Sequence, residues 1–180
     1  MSSNFTAWIE RRARQLRGVL GLDELEPLDP YELARTMGVK IFSPLDVTGM
    51  PSQMLNEILG AGSDSWSGGA LHLPNGHAVV LNPTHAKTRT HATLMEELSH
   101  IFLKHKPSSF YVFVDSLTMR SYNRSQEQQA YGVGAAALVT SLMLEQAQNQ
   151  ETRRAYLAKL CGVSVDLVSF REKVTGIRLE

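Results

Sequence analysis

The sequence has one cysteine, no net charge and no long apolar run, and each of these shortages removes a class of function. Cys161 alone cannot form an internal disulfide, a multi-thiolate zinc site or an iron-sulfur cluster, so any metal must rest on histidine and carboxylates. The 18 basic and 18 acidic side chains cancel, leaving no overall field to draw the chain onto nucleic acid or an anionic membrane. Nucleic acid is therefore disfavoured as a partner. No window approaches the roughly 18 apolar residues of a membrane span. Residues 1–20 carry Arg11, Arg12, Arg14 and Arg17 where a secretory signal needs an apolar stretch. A cytoplasmic protein without membrane association is expected.

What the chain does have is size and a cluster of imidazoles. Its 180 residues, 43% hydrophobic, are enough to bury the core of one domain, so 1–180 reads as a single unit. All six histidines fall between positions 72 and 105: His72, His77, His85, His91, His100 and His105.

Apolar residues at helical spacing predict a first helix over 5–20, with arginines between them. Asp29 followed by Pro30 is an N-cap signal for a short helix over 31–37 that Gly38 ends. Residues 39–42 have strand character, and the Ser/Gly-rich stretch 63–69 suits an exposed loop. The apolar runs 70–73 and 78–82 flank Pro74-Asn75-Gly76, and Asn-Gly predicts a β-hairpin because both residues accept positive φ. Helices are expected over 90–104, closed by Pro107, and over 126–144, whose Gly132-Val133-Gly134-Ala135-Ala136-Ala137 run is poor in propensity but lets another helix approach. Two short helices follow, 150–160 and 164–174, around Gly162.

The helix over 90–104 contains Glu96-Glu97-Leu98-Ser99-His100. Positions 96 and 100 project from one face as neighbours and can share a metal ion. Glu97 lies roughly 60° round from His100, where a carboxylate can hold a water beside the ion without ligating it. The geometry is that of HExxH with the first histidine replaced. A plainer reading stands beside it: Thr93, Glu96, Glu97, His100 and Lys104 all lie opposite the leucines and could form a solvated face. Glu127 shares a helical face with Ala130, Tyr131, Gly134, Leu138 and Leu142, and a carboxylate on an apolar stripe needs a partner such as a metal held by Glu96 and His100. Its alternative is a place near solvent in the first helical turn, favoured by the macrodipole. Glu97-x-x-His100 also fits a di-iron bundle, but no second Glu-x-x-His is present.

These residues resemble the ImmA/IrrE-type metallo-endopeptidases, whose core is an HExxH helix preceded by a strand ending in Asn. Here Ala78-Val79-Val80-Leu81-Asn82-Pro83 matches the strand, Thr93 to His100 the helix, and Gln126-Glu127-Gln128-Gln129-Ala130 the following Glu-rich stretch. The likeness runs from about residue 28 to 174. It implies an α+β fold, a zincin-like helix pair with a small sheet or hairpin and flanking N- and C-terminal helices. It also implies His100 and Glu127 as metal ligands and Glu97 as general base, with Glu96 at the first-histidine position. Zinc accepts carboxylate oxygen at about 2.0 to 2.2 Å. One imidazole and two carboxylates would neutralise the ion, weaken its Lewis acidity and make manganese more competitive. Thr140 stands where the family often places proline.

Three functions follow. The first is a metal-dependent endopeptidase acting on a protein, with a helix-turn-helix repressor as the substrate the resemblance implies. The second is a catalytically degenerate peptidase fold that binds a partner protein. The third is a DNA-binding module using Leu157 to Arg171, whose rhythm is that of helix-turn-helix. Within the helical geometry His91 and His105 are both directed away from the Glu96/His100 face, at about 140° or more from the nearer of the two, and His105 reads as a packing or helix-dipole residue. His72, His77 and His85 lie on or beside the hairpin, in surface or core roles or in contact with substrate.

Overall fold

The computed structural model describes residues 3–105, 111–113, 116–118, 123–147 and 153–178. Helix α1 (Ser3–Arg17) buries Ile9, Ala13 and Leu16 at helical spacing and runs into a 3-10 turn closed by Gly21. In α2 (Pro30–Thr36) the Asp29 carboxylate accepts the Tyr31 N–H at 2.8 Å, the N-cap that the sequence announces. Strand β1 (Val39–Phe42) follows Gly38. Next comes α3 (Ser52–Leu59), a helix outside the expected elements, which buries none of its residues although Met54, Leu55, Ile58 and Leu59 recur at helical spacing.

Strands β2 (Gly68–Leu73) and β3 (Gly76–Leu81) form the expected hairpin, but its turn lies one residue earlier than Asn-Gly implies. Leu73 pairs with Gly76, so Pro74 and Asn75 make the connection, and only Gly76 takes positive φ. Proline presets the φ of the first turn position, which displaces the register. The Ser/Gly-rich stretch 63–69 is likewise only in part a loop, since Gly68 and Gly69 belong to β2. The sheet order is β1-β3-β2, with β1 parallel and β2 antiparallel to β3, leaving β2 as an edge.

The face of the sheet carrying Val39, Val79 and Leu81 packs on α4 (Lys87–Phe102). That helix starts and ends earlier than expected, stopping at Phe102; Pro107 lies outside the described residues. After the short strands β4 (Tyr111–Phe113) and β5 (Ser116–Thr118) comes α5 (Arg124–Leu138), the most buried helix. A Cβ on Gly132 would meet Ile9 Cδ1 of α1 at 2.7 Å, and one on Gly134 would meet the Met95 carbonyl of α4 at 3.0 Å. The low-propensity run thus lets α5 sit between two helices at once.

The single helix expected over 126–144 is two. Val139 is extended, and α6 (Ser141–Ala147) restarts behind Thr140, whose Oγ1 donates to the Glu24 carbonyl at 2.6 Å and accepts the Met143 N–H at 3.1 Å. Thr140 therefore ties the break to the N-terminal loop. Helices α7 (Arg153–Cys161) and α8 (Val165–Thr175) turn about Gly162, at φ +64°. Leu167, Val168 and Arg171 of α8 face the core, while its exposed first turn presents Val165 and Asp166. Among the described residues no helix is long and apolar enough to cross a membrane.

Candidate metal centre

The site is built where α4 and α5 touch. Glu96 and His100 stand one turn apart on α4. Two turns before the close approach at Gly134, Glu127 of α5 brings Oε2 to 3.4 Å from His100 Nε2. The Asn123 side chain caps α5 just ahead of it, accepting the Ser125 N–H at 3.1 Å and the Gln126 N–H at 3.3 Å. Glu96, His100 and Glu127 each offer one ligand atom, all within 4.8 Å of one another, and all three are half-buried. Metal bonds of about 2.0 to 2.2 Å place neighbouring tetrahedral ligands about 3.4 Å apart. The His100–Glu127 edge has that length already, and a small contraction around Glu96 would complete the cradle. The donor set therefore fits a divalent ion.

Glu97 occupies the flank of α4 that faces the sheet. It is only 5% exposed, and its Oε2 accepts the backbone N–H of Ala70 at 2.8 Å. Thr93, one turn earlier, is buried against Gly68. The solvated-face reading of these residues is thus overturned, because the sheet covers one side of the polar stripe and α5 covers the other; of the five residues only Lys104 is exposed. Glu127 is 14% exposed at its side chain, so it lies inside the helix contact rather than in solvent.

The histidine cluster divides. His72 and His77 form a cross-strand pair near the hairpin turn, their rings 4.7 Å apart. His85 and Asn82 serve a different purpose: Asn82 donates to the carbonyls of Ser63 at 2.7 Å and Trp66 at 3.1 Å, pinning the loop before β2 to the end of β3. His91 points away from the site, edge-on to Tyr31 and against Gly162, and burial holds it below the usual histidine range.

His105 departs from its expected place. Helical angles apply only inside a helix, and the chain leaves α4 at Leu103. Lys104 adopts φ +55°, its N–H donates to the Ile101 carbonyl at 3.1 Å, and the His105 N–H donates to the His100 carbonyl at 3.0 Å. This Schellman closure folds His105 back over His100, with the rings 5.0 Å apart. Burial lowers the pKa of His105, opposed by its hydrogen bond to Gln129 and by the charge of Glu127. The role of Gln129 as the partner of His105 is one that spacing did not reveal. Burial raises the Tyr131 phenol above its ordinary range, with Glu96 and Asp166 adding to the effect.

Residues 52–173, about two thirds of the chain, match the family model of the IrrE N-terminal-like domain, a peptidase family designated M78. The chain belongs to this family. The matched span runs from α3 into α8 and contains Glu96, Glu97, His100 and Glu127. M78 is a metallopeptidase-type family, so membership implies a metal, and the Glu-His-Glu group is where the described residues could bind one. A search of curated proteins finds no match to the chain.

Proposed function

We propose that this M78 protein is a metal-dependent endopeptidase in which Glu96, His100 and Glu127 hold a divalent ion and Glu97 is the general base. The observation that carries the reading is the convergence of those three side chains from α4 and α5 beside a buried carboxylate anchored to an edge strand. Held by Glu96, His100 and Glu127, zinc, or manganese in so carboxylate-rich a set, would supply Lewis-acid polarisation of the scissile carbonyl and a lowered pKa for a water. Glu97 takes the proton of the attacking water and passes it to the leaving amine.

The edge of the sheet supplies the substrate side. In this register the outward backbone groups of β2 belong to Gly68, Ala70 and His72. Ala70 orients Glu97, and the outward groups of Gly68 and His72 suit pairing with an extended peptide. The substrate is thus a protein segment that can be drawn out as a strand, and the family resemblance makes a helix-turn-helix repressor the first to try.

Metal analysis of the purified protein, with cleavage of such a repressor, tests this reading. About one equivalent of zinc or manganese is expected, lost in His100→Ala and Glu127→Ala. Glu97→Gln is expected to keep the metal and lose about 10²- to 10⁴-fold in cleavage rate. A folded, metal-free wild type that still binds the repressor would instead favour the degenerate, partner-binding fold, and undiminished cleavage by Glu97→Gln would remove the assigned base.

A further inference from the structure

We infer that His105, held by Gln129, is a positioning residue that fixes His100 in the tautomer whose Nε2 lone pair faces the metal position between Glu96 and Glu127. The inference rests on the proposed metal site and adds to it a direction for every proton along one chain of side chains.

The chain is read inward from Gln129. Its Oε1 lies 3.0 Å from His105 Nε2, and a carbonyl oxygen only accepts, so that nitrogen carries the hydrogen. A neutral ring with its hydrogen on Nε2 has a bare Nδ1. His105 Nδ1 lies 3.0 Å from His100 Nδ1, so the His100 nitrogen must donate. His100 then carries its hydrogen on Nδ1, and its bare Nε2 faces the Glu127 carboxylate at 3.4 Å. That separation is longer than the usual N–H···O range of about 2.7 to 3.2 Å. A lone pair and a carboxylate directed at each other are reconciled by a cation between them. A second group that orients a ligating imidazole through its other nitrogen is the usual device for setting ligand direction.

The backbone holds the two rings in contact. Lys104 takes a left-handed conformation that a residue with a side chain adopts at a cost, and the result is to bring the His105 ring onto His100 while its own N–H closes the helix end. Gln129 comes from α5, two residues after Glu127, so one helix turn supplies both a ligand and the anchor of the positioning residue.

The test uses the full chain, with zinc alone as the probe. The first readout is the tautomer of His100 in the metal-free protein, from nitrogen-15 shifts of the ring; the second is zinc affinity by competition with a chelator. Wild type is expected to show His100 with its hydrogen on Nδ1. His105→Phe, which keeps a flat ring but removes the acceptor, is expected to shift His100 toward the Nε2–H form and to weaken zinc binding about 10- to 100-fold. His105→Asn, whose Oδ1 can occupy the place of Nδ1, is expected to recover most of both. Gln129→Leu breaks the chain one link further out and should give a smaller change in the same direction, a check that holds if His105→Phe fails to fold. His100 found with its hydrogen on Nε2 in wild type, or wild-type zinc affinity in both His105→Phe and Gln129→Leu, would overturn the assignment. If the wild type binds no metal, the proposed function falls while the tautomer measurement still decides this inference.

Discussion

At position 96 a carboxylate stands where the resembling family has an imidazole, and the substitution acts through charge. With Glu96 and Glu127 both ionised and His100 neutral, a divalent ion in the site is formally neutralised. Glu96→His would restore a two-imidazole site with net charge, and it is expected to tighten zinc binding at least about tenfold, or ~1.4 kcal/mol. Competition titration with zinc and manganese measures this; equal affinity in both proteins would show that Glu96 is not a weakened ligand. Cys161 offers a contrasting case, a titratable group withdrawn from chemistry. Burial pushes its thiol up to about 11, and its Sγ lies against Met143 Sδ at 3.7 Å. At pH 8 a thiol reagent should leave the native protein unmodified and label one cysteine after unfolding, and prompt labelling of the native state would contradict the burial.

Two helices have to meet at close range for the site to exist, and α5 meets α4 at Gly134, while Gly132 admits α1 on another side. Gly134 is the one on which the site depends, since the Met95 carbonyl it touches belongs to rigid helix backbone that cannot turn aside. Gly134→Val is expected to cost about 1 to 3 kcal/mol by forcing α5 away from α4. Because Glu127 lies two turns earlier on the same helix, zinc affinity should fall together with stability, although no ligand has been changed. A variant that lost stability but bound zinc normally would separate the glycine from the site. The same scale explains two boundaries. The helix pattern over 126–144 gave no hint of a break, because Val139 and Thr140 are acceptable in a helix, and the break comes from partners far away in sequence. The end of α4 was equally hidden, since Lys104 is not a residue that signals a left-handed turn.

Across the whole molecule, two buried arginines hold the N-terminal helix, the C-terminal helix and the end of α5 together. Arg17 of α1 donates to the Ala137 carbonyl at 2.6 Å and to the carbonyls of Asp23 and Glu26. Arg171 of α8 donates to the Val139 carbonyl at 2.8 Å and to Glu10 of α1 at 2.6 Å. Both cations thus meet carbonyls where α5 ends, where the helix dipole is negative. Arg171→Ala would leave Glu10, 14% exposed at its side chain, without its cation and a buried carbonyl without its donor. A loss of about 3 to 5 kcal/mol in chemical denaturation is expected. The pair Arg171→Met with Glu10→Leu should recover much of it, and a single variant within about 1 kcal/mol of wild type would show the ion pair to be dispensable.

The sequence by itself determined the local features: the Asp29 cap, the hairpin, the helix with Glu96 and His100 on one face, and the carboxylate that Glu127 adds to an apolar stripe. These depend on periods of 2 and 3.6 residues and on capping chemistry, which neighbours along the chain carry. Composition also confined any metal to histidine and carboxylates. Only the tertiary structure decided which side of the polar stripe was buried, because that depends on β2 and α5 arriving from elsewhere to cover Glu97 and meet His100. It alone brought His105 back onto His100, through a turn whose hydrogen bonds no periodic pattern encodes. The six histidines that are neighbours in sequence are dispersed in space to the hairpin, the loop staple, the α2 contact and the α4 end, and only His100 and His105 remain together at the candidate site.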